Sequence, residues 1–494
     1  MLSEPFVTKP DSTVDPLSAL ILPPPHSTSS SLSSADPSSS TATSHDVSSY
    51  RLLFGVRHPP GALPAFGLLF AIHLTNYADR FIPSAVKAQI QAEYDLDDFQ
   101  SSFPLTVFII AYMIFSPLFG YLSDRGYSRT RLIAAGVVSW SVLTALTAAA
   151  PNYAIFVLVR AAVGIGEASY IVITPSILAD YYQVDDRNRM IGLWSLAIPL
   201  GAALGFGLGG VIGEELGWKA AFVILGLPGI VLGLLVLRLR DPVRGGTDPP
   251  EVRAMMAASA QLSNLEVYKA LLLNPVFVCG ALGQAFNTFG AGGVADWMPT
   301  YIQKSLDMSE ADAGLAVGAA TVVGGIGGGL FGPWLAQRVD GKIRNAYLAV
   351  AGWTTLFGAV MLILLLQLTS APLVILLLAV CEVGLWAYLG PVWALFVNAV
   401  HPLHRTRAAA IAVFIEHLLG DAASPSIIGA VSDRVGLSVA MVIVPATWTL
   451  AGMVWLGGSR WLEAGQEKEV GGGRPSAKKQ AAADQQPSFS TTAA

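Results

Sequence analysis

Twelve stretches of about 20 mainly apolar residues follow one another along the chain, separated by shorter polar segments. A helix needs about 20 such residues, at about 1.5 Å each, to cross a hydrocarbon layer about 30 Å thick. The pattern therefore predicts membrane spans at 64–87, 103–123, 131–150, 153–180, 190–213, 219–237, 276–300, 312–336, 346–367, 372–398, 408–431 and 438–458. Pro104, Pro117, Pro199 and Pro391 fall inside spans. In lipid they are tolerated, because neighbouring helices satisfy the backbone groups that proline frees.

The polar segments alternate in charge. Those after even-numbered spans carry Arg125, Arg129 and Arg131; Arg187 and Arg189; Arg238, Arg240, Arg244 and Arg253; Arg338, Lys342 and Arg344; and Arg405 and Arg407. The opposite segments hold Lys87, Lys219, Lys304 and Arg434 among acids such as Glu93, Asp95, Asp97, Asp98, Asp307, Glu310 and Asp312. The positive-inside rule then makes the first set, and both termini, cytosolic. The longest of these loops, about 238–275, separates six spans from six. The expected organisation is a six-helix bundle over 58–237, a linker over 238–275 and a second six-helix bundle over 276–459.

Composition agrees with a polytopic membrane protein: 494 residues, 53% hydrophobic, 13% charged and 49 glycines. The net charge of −5 adds nothing, since charge placement across loops carries the information. No feature points to a nucleic-acid partner. Cys279 and Cys381 both lie in apolar spans, so they supply neither a disulfide framework nor a metal site, and no cofactor is expected. Residues 1–57, with the serine-rich run Ser27–Ser40, and residues 460–494 are low in complexity and read as disordered cytosolic tails. Leu17–Leu22 is too short for a signal-peptide core, and no arginine precedes Arg51. Tyr50–Leu53 spells a tyrosine-type sorting signal.

Ionisable residues inside the spans carry the functional information. A charge at the bilayer centre costs about 2.5–3.5 kcal/mol on insertion scales, so such groups persist where they face water or a partner. The candidates are Asn76, Asp79, Arg80, Arg160, Glu167, Glu382, Glu416, His417 and Asp421. Asp79 and Arg80 lie ~22 Å along the first span and Arg160 ~10 Å into the fourth, depths that allow an Asp79–Arg160 pair. Glu167, seven residues after Arg160, shares its helix face, so both are expected to face a cavity together. An arginine fork suits an anionic head group, whereas a partly desolvated carboxylate such as Glu167 or Asp79 suits proton exchange. A static ion pair joining the first and fourth spans is the competing reading. His417 and Asp421 are spaced i, i+4 on one face, beside Glu416, while Glu382 has no basic neighbour in sequence. The glycine clusters at Gly201–Gly210 and Gly324–Gly332 read as close helix crossings. Phe286, Phe289, Trp297, Tyr301, Trp386 and Tyr388 are candidates to line an acyl slot.

Between the second and third spans the chain reads GYLSDRGYSRTR from Gly120. This resembles the signature loop of the major facilitator superfamily, with Gly120, Asp124, Arg125 and Arg129 in matching positions and Ser128 where many members carry a base. The resemblance implies a gating motif in which Gly120 admits a close helix contact and Asp124 and Arg125 latch helix ends. RAAVGIGEAS at Arg160–Ser169, NYADR in the first span, WMPTY in the seventh and HLLGDAASPSIIGAVSDR in the eleventh are together similar to the Spinster-type branch of that superfamily, over about Thr75–Arg434. That branch implies the major facilitator fold, twelve transmembrane helices in two bundles, and alternating-access movement of lysolipids or sphingoid lipids, in some members coupled to protons. A carrier of small organic anions or sugar phosphates, and a transport-silent receptor or scaffold, remain as alternatives. No nucleophile elbow, metal-ligand cluster or phosphate-binding loop points to an enzyme. Endolysosomal and plasma membranes are not distinguished, nor is the oligomeric state.

Overall fold

The computed structural model describes residues 51–53, 56–248, 264–343, 345–398 and 405–470. Ser27–Ser40, Tyr50, Arg253, Arg344 and the tail beyond residue 470 lie outside the described residues. A short antiparallel ladder pairs Arg51–Leu53 with Val56–His58 at the tail boundary expected near residue 57. Everything else of regular structure among the described residues is helical.

Ten helical passages are long and apolar enough to cross a bilayer. They are Asp98–Asp124, Arg129–Thr147, Tyr153–Tyr181, Arg189–Leu216, Trp218–Val236, Glu310–Val339, Ala346–Leu365, Ala371–Phe396, Arg407–Val435 and Leu437–Arg460. Two further long helices, Ala62–Ala85 and Pro275–Leu306, occupy the predicted first and seventh positions. Polar side chains dilute both, Asn76, Asp79 and Arg80 in one and Gln284, Asn287 and Asp296 in the other. Those two helices hold equivalent places, the first of each six, in the two halves. Spans are numbered below in this chain order.

Local chemistry sets the boundaries. Asp97 caps the second span in a capping box with Gln100, and Asn152, Asn274 and Ser309 accept amide hydrogens at the starts of the fourth, seventh and eighth. The eleventh span was expected to run unbroken over 408–431 but consists of Arg405–Leu419 and Ser424–Val435, separated by a turn at Gly420–Ala423. Pro425 at the start of the second piece lacks the amide hydrogen that would continue the first. Asp421 therefore sits in a helix break.

Lipid tails are as apolar as leucine, so helices in a membrane associate through close packing. The first six spans meet around Phe108, Ile133, Trp140 and Tyr170, and the last six around Trp297, Val317, Leu378 and Trp448. The halves join along two seams, the fifth span against the eighth and the second against the eleventh. Gly314 in the eighth span approaches the Phe206 carbonyl so closely that a Cβ would lie 2.3 Å from its oxygen. Gly205 does the same to the Ala78 carbonyl of the first span, at 2.4 Å. Gly120 differs from expectation: a Cβ there would make an ordinary contact, 3.6 Å from Val172 Cγ1.

The seams are fastened at one end. The Asp98 and Phe99 amides donate to Asp433 at 2.8 and 3.1 Å, and the Ala311 amide donates to Glu214 at 2.9 Å. Gln89 Nε2 donates to Glu310 at 2.5 Å, and the Thr106 and Ser426 hydroxyls meet at 2.8 Å. Among the described residues, hydrogen bonds between the halves run from this acidic end to about mid-depth. None joins them at the opposite end, which bears the arginine-rich loops. Gly205→Val should lower stability by about 1–3 kcal/mol through overpacking against the Ala78 carbonyl, whereas Gly329→Ala, which meets nothing within 4 Å, should leave it unchanged. Thermal unfolding in detergent checks this, and equal melting temperatures for the two variants would refute the packing argument.

Candidate functional site

The buried charges of the first half collect where the first, second and fourth spans cross. The expected Asp79–Arg160 pair is not formed. Arg80 Nη2 instead donates to Glu167 Oε2 at 2.9 Å, with side-chain exposures of 11% and 0%. Both Asp79 oxygens, all three Arg160 guanidinium nitrogens and both side-chain polar atoms of Asn76 are buried without a hydrogen-bond partner. Adjacent residues leave a helix in different directions, and here Arg80 is partly exposed and packs beside Tyr112, which meets His417 of the other half, while Asp79 is fully buried.

Arg160 and Glu167 were expected to face the cavity together. Both are fully buried. Their common face is covered by the second span, whose Phe108 carbonyl lies against Gly164, where a Cβ would be 2.3 Å away. The Arg160 guanidinium rests 5.4 Å from the Phe108 ring centre and 5.9 Å from that of Phe222. It belongs to the interior of the first half, and Arg80 is the cation that reaches the space between halves. Three rings collar Arg80, those of Tyr77, Phe108 and Tyr112, at 4.9, 5.1 and 5.5 Å.

Tyr112 spans the gap. Its ring meets that of His417 edge-on at 5.7 Å. His417 Nδ1 and Asp421 Oδ1 lie 2.8 Å apart, the i, i+4 pair expected from sequence, with side chains 16% and 18% exposed. Glu416 accepts from Gln284 Nε2 at 2.5 Å and from Thr288 Oγ1 at 3.0 Å, so the seventh and eleventh spans share one polar cluster. Facing walls of the gap thus carry Arg80 on one side and two carboxylates with a histidine on the other. Glu382 stands apart, accepting from the Trp386 indole at 2.9 Å, and its Cβ presses on Gly324.

Several aromatic candidates for an acyl slot prove to be packing residues. Trp297 is fully buried and donates to the Pro425 carbonyl at 2.9 Å, Tyr301 is buried, and Tyr388 stacks on Trp455 at 5.4 Å. Phe286 and Phe289 remain half-buried.

At the arginine-rich end the signature loop is built differently from the expected latch. Asp124 and Arg125 are exposed, and Arg125 stacks on Tyr121 at 5.0 Å. Arg129 is the buried member: Nη1 donates to Asp180 at 2.5 Å, Nε to Asp241 at 2.8 Å and Nη2 to the Pro242 carbonyl at 2.6 Å. All of these partners belong to the first half and to the segment leaving its sixth span. The same segment is held by Arg187–Asp248 at 2.8 Å, by the Gly245 amide on Asp180 at 2.9 Å and by Arg244 on the Ser123 carbonyl. His58 of the hairpin meets the Tyr182 hydroxyl at 3.0 Å, and burial holds the Tyr182 phenol above its ordinary pKa range, as a neutral group. The loop therefore staples the first half together, and among the described residues it makes no bond to the second.

Sequence reasoning missed three features. Lys87 was assigned to a loop but is buried and ion-paired with Asp296 of the seventh span. Asp296 stands in the same apolar run as WMPTY and could have been found as an acid within a span. His73 lies stacked on Trp194 at 3.8 Å with both ring nitrogens unpartnered. No spacing signal marks it.

The sequence signature of the Major Facilitator Superfamily matches residues 69–425. The chain belongs to that superfamily. Within it the chain is of Spinster type: it is 33% identical over 397 residues to protein spinster homolog 1 of Xenopus tropicalis, covering 74% of this chain and 72% of that one. Against protein spinster homolog 1 of Homo sapiens it is 30% identical over 445 residues, covering 81% of each chain. Among solved structures, a bacterial homolog to the human lysosomal transporter Spinster, in an inward-facing and unoccupied conformation, superposes with a TM-score of 0.71 at 22% identity, over 81% of this chain and 97% of that one. Its occupied form gives 0.69 at 21% identity, with the same coverage, and the likeness concerns the fold. A multi-pass transporter is thereby established. Arg129→Ala should cost about 2–3 kcal/mol by removing charge-assisted hydrogen bonds and stranding Asp180, while Arg125→Ala should stay within about 0.5 kcal/mol. Unfolding in detergent distinguishes them, and equal losses would return the latch role to Arg125.

Proposed function

We propose that this protein carries an amphiphile with an ionised head group, of the lysolipid or sphingoid-lipid class, by alternating access, with Arg80 as the head-group anchor. The observation that carries the reading is the state of that guanidinium. Its Nη2 is held by Glu167, its Nε has no partner, and the side chain is partly open to the gap between halves. An arginine with unused donors beside a sealed carboxylate is prepared to exchange one anion for another, because its planar fork accepts phosphate or carboxylate bidentately. The collar of Tyr77, Phe108 and Tyr112 gives the same site an apolar rim suited to the glycerol or sphingoid portion of such a molecule. Across the gap, Glu416 and the His417–Asp421 pair supply the opposite sign, so a head group bearing both charges would be met on both walls.

Proton coupling follows from the same geometry. When the cargo's anion takes Arg80, Glu167 loses its partner in a dry site, and a stranded carboxylate there takes up a proton. Release of cargo returns Glu167 to Arg80 and frees the proton. Arginine-rich loops and termini read as cytosolic, together with the fastening at the acidic end, support a conformation open to the cytosol.

Two measurements test this. Labelled lysophospholipid, sphingoid phosphate and a soluble organic anion are offered to proteoliposomes with and without a pH gradient. Flux of the lipids is expected, Arg80→Gln should lower it by at least ~100-fold, or about 2.7 kcal/mol, and flux of the soluble anion alone would replace the lipid reading with the small-anion one. Glu167→Gln should retain folding and cargo binding and lose the pH dependence of transport; a variant that still responds to the gradient would remove Glu167 from the proton route. Absence of flux for every cargo would leave the receptor or scaffold reading.

A further inference from the structure

Lys87 and Asp296 face each other across the two halves, with side chains only 2% and 3% exposed. Lys87 opens the short helix Lys87–Tyr94 that follows the first span, and Asp296 belongs to the seventh. Three elements converge on this one carboxylate. Ser84 Oγ donates to Oδ1 at 3.0 Å, and Ser102 Oγ of the second span donates to Oδ2 at 2.5 Å while accepting from the Lys87 ammonium at 2.8 Å. The ammonium also sits 3.7 Å from the Trp297 ring centre. It is a dry, fully partnered charge cluster, and it joins the halves where the other inter-half bonds are made through backbone amides, hydroxyls and exposed or partly buried side chains.

Its position relative to Arg80 gives it a consequence. Lys87 follows Arg80 by seven residues, which places it ~10 Å nearer the acidic end. A cargo leaving Arg80 toward that end meets the pair. We propose that Lys87 and Asp296 are the gate residues of the acidic end, an inference that rests on the alternating-access reading above. Opening that end separates the two charges, and each then exchanges its partner for water. Closing it costs nothing in unpaired charge as long as both are present. A single neutralisation changes that balance: the remaining charge is stranded dry in the closed form and hydrated in the open one, so the equilibrium moves toward opening. Asp296→Asn should act more strongly than Lys87→Gln, because Asp296 without its lysine keeps two serine donors whereas the ammonium without its carboxylate keeps one hydroxyl and a ring. The exchanged pair, Lys87→Asp with Asp296→Lys, restores opposite charges and should restore closure.

The test uses spin labels on the full chain in nanodiscs, with Cys279 and Cys381 replaced by alanine. One label pair at Ala92→Cys and Ser305→Cys reports the acidic end, and another at Tyr127→Cys and Lys342→Cys reports the arginine-rich end; all four positions are exposed. Asp296→Asn is expected to raise the population with a lengthened acidic-end distance by ~10-fold or more and to shorten the other distance in step, with Lys87→Gln intermediate and the exchanged pair returning to the parental distribution. Unchanged distances in Asp296→Asn, or an exchanged pair that stays open, would overturn the gate, and loss of stability in the single variants without any change of distance would make the pair static glue. Added lysophospholipid separates this from the reading beneath it. If cargo moves both distances reciprocally while the variants do not, the gate fails and alternating access stands. If nothing moves either distance, both fail.

Discussion

Everything in this structure turns on the cost of removing a charge from water. Taking an ion into a dry helical interior costs several kcal/mol even after relaxation, and only a close partner of opposite sign offsets it. Two ions of the first half find such a partner, each in a different way, while Asp79 and Arg160 are buried without a hydrogen-bond partner. Arg80 finds Glu167 and leaves one edge of its guanidinium toward the gap, while Lys87 finds Asp296 and is sealed. One pair leaves a donor free for a visiting anion, and the other leaves nothing free. On the proposed reading, that difference separates a group that receives cargo from a group that holds the two halves together.

The packing makes the difference possible. Helices in lipid gain little from burying apolar surface against one another, so the close contacts at Gly205 and Gly314 supply the attraction that a water-soluble core would obtain from burial. Gly205 draws the fifth span onto the first, and Gly314 draws the eighth onto the fifth across the two halves. At the arginine-rich end the signature loop spends its charge internally, through Arg129 on Asp180 and Asp241. The first half is cross-linked there by these bonds and makes none to the second among the described residues. Rocking about the glycine-rich seam would change the pairing at one end and leave each half intact, which is the division a carrier requires.

Much of this was legible in the chain. A run of about 20 apolar residues specifies a spanning helix because the bilayer fixes its length, and the ten apolar passages fall on predicted spans. The first and seventh long helices were also visible as spans, although their polar side chains dilute them. Spacing also told that His417 and Asp421 meet, and they do even though Asp421 lies just past the last helical residue, Leu419, because the turn that follows keeps it near the preceding helical turn. Spacing could not tell which helix covers a given face. Depth along two helices allowed Asp79 with Arg160, yet Phe108 of the second span covers Gly164 and directs Arg80 to Glu167 instead.

Lys87 is the clearest case of that limit. As sequence it is a cation at the end of an apolar run, indistinguishable from the lysines that anchor spans at a surface. Only the approach of the seventh span, more than two hundred residues away, brings Asp296 to it and turns a surface charge into a buried one. The order of polar and apolar residues by itself determined that the chain crosses a membrane, where its candidate spans lie, and that Asp79, Arg80, Arg160 and Glu167 fall within them, since those follow from length and solvation along a single helix. The tertiary structure alone decided which charge answers which and which stay partly or wholly unanswered, because pairing depends on distances between helices that no single helix contains.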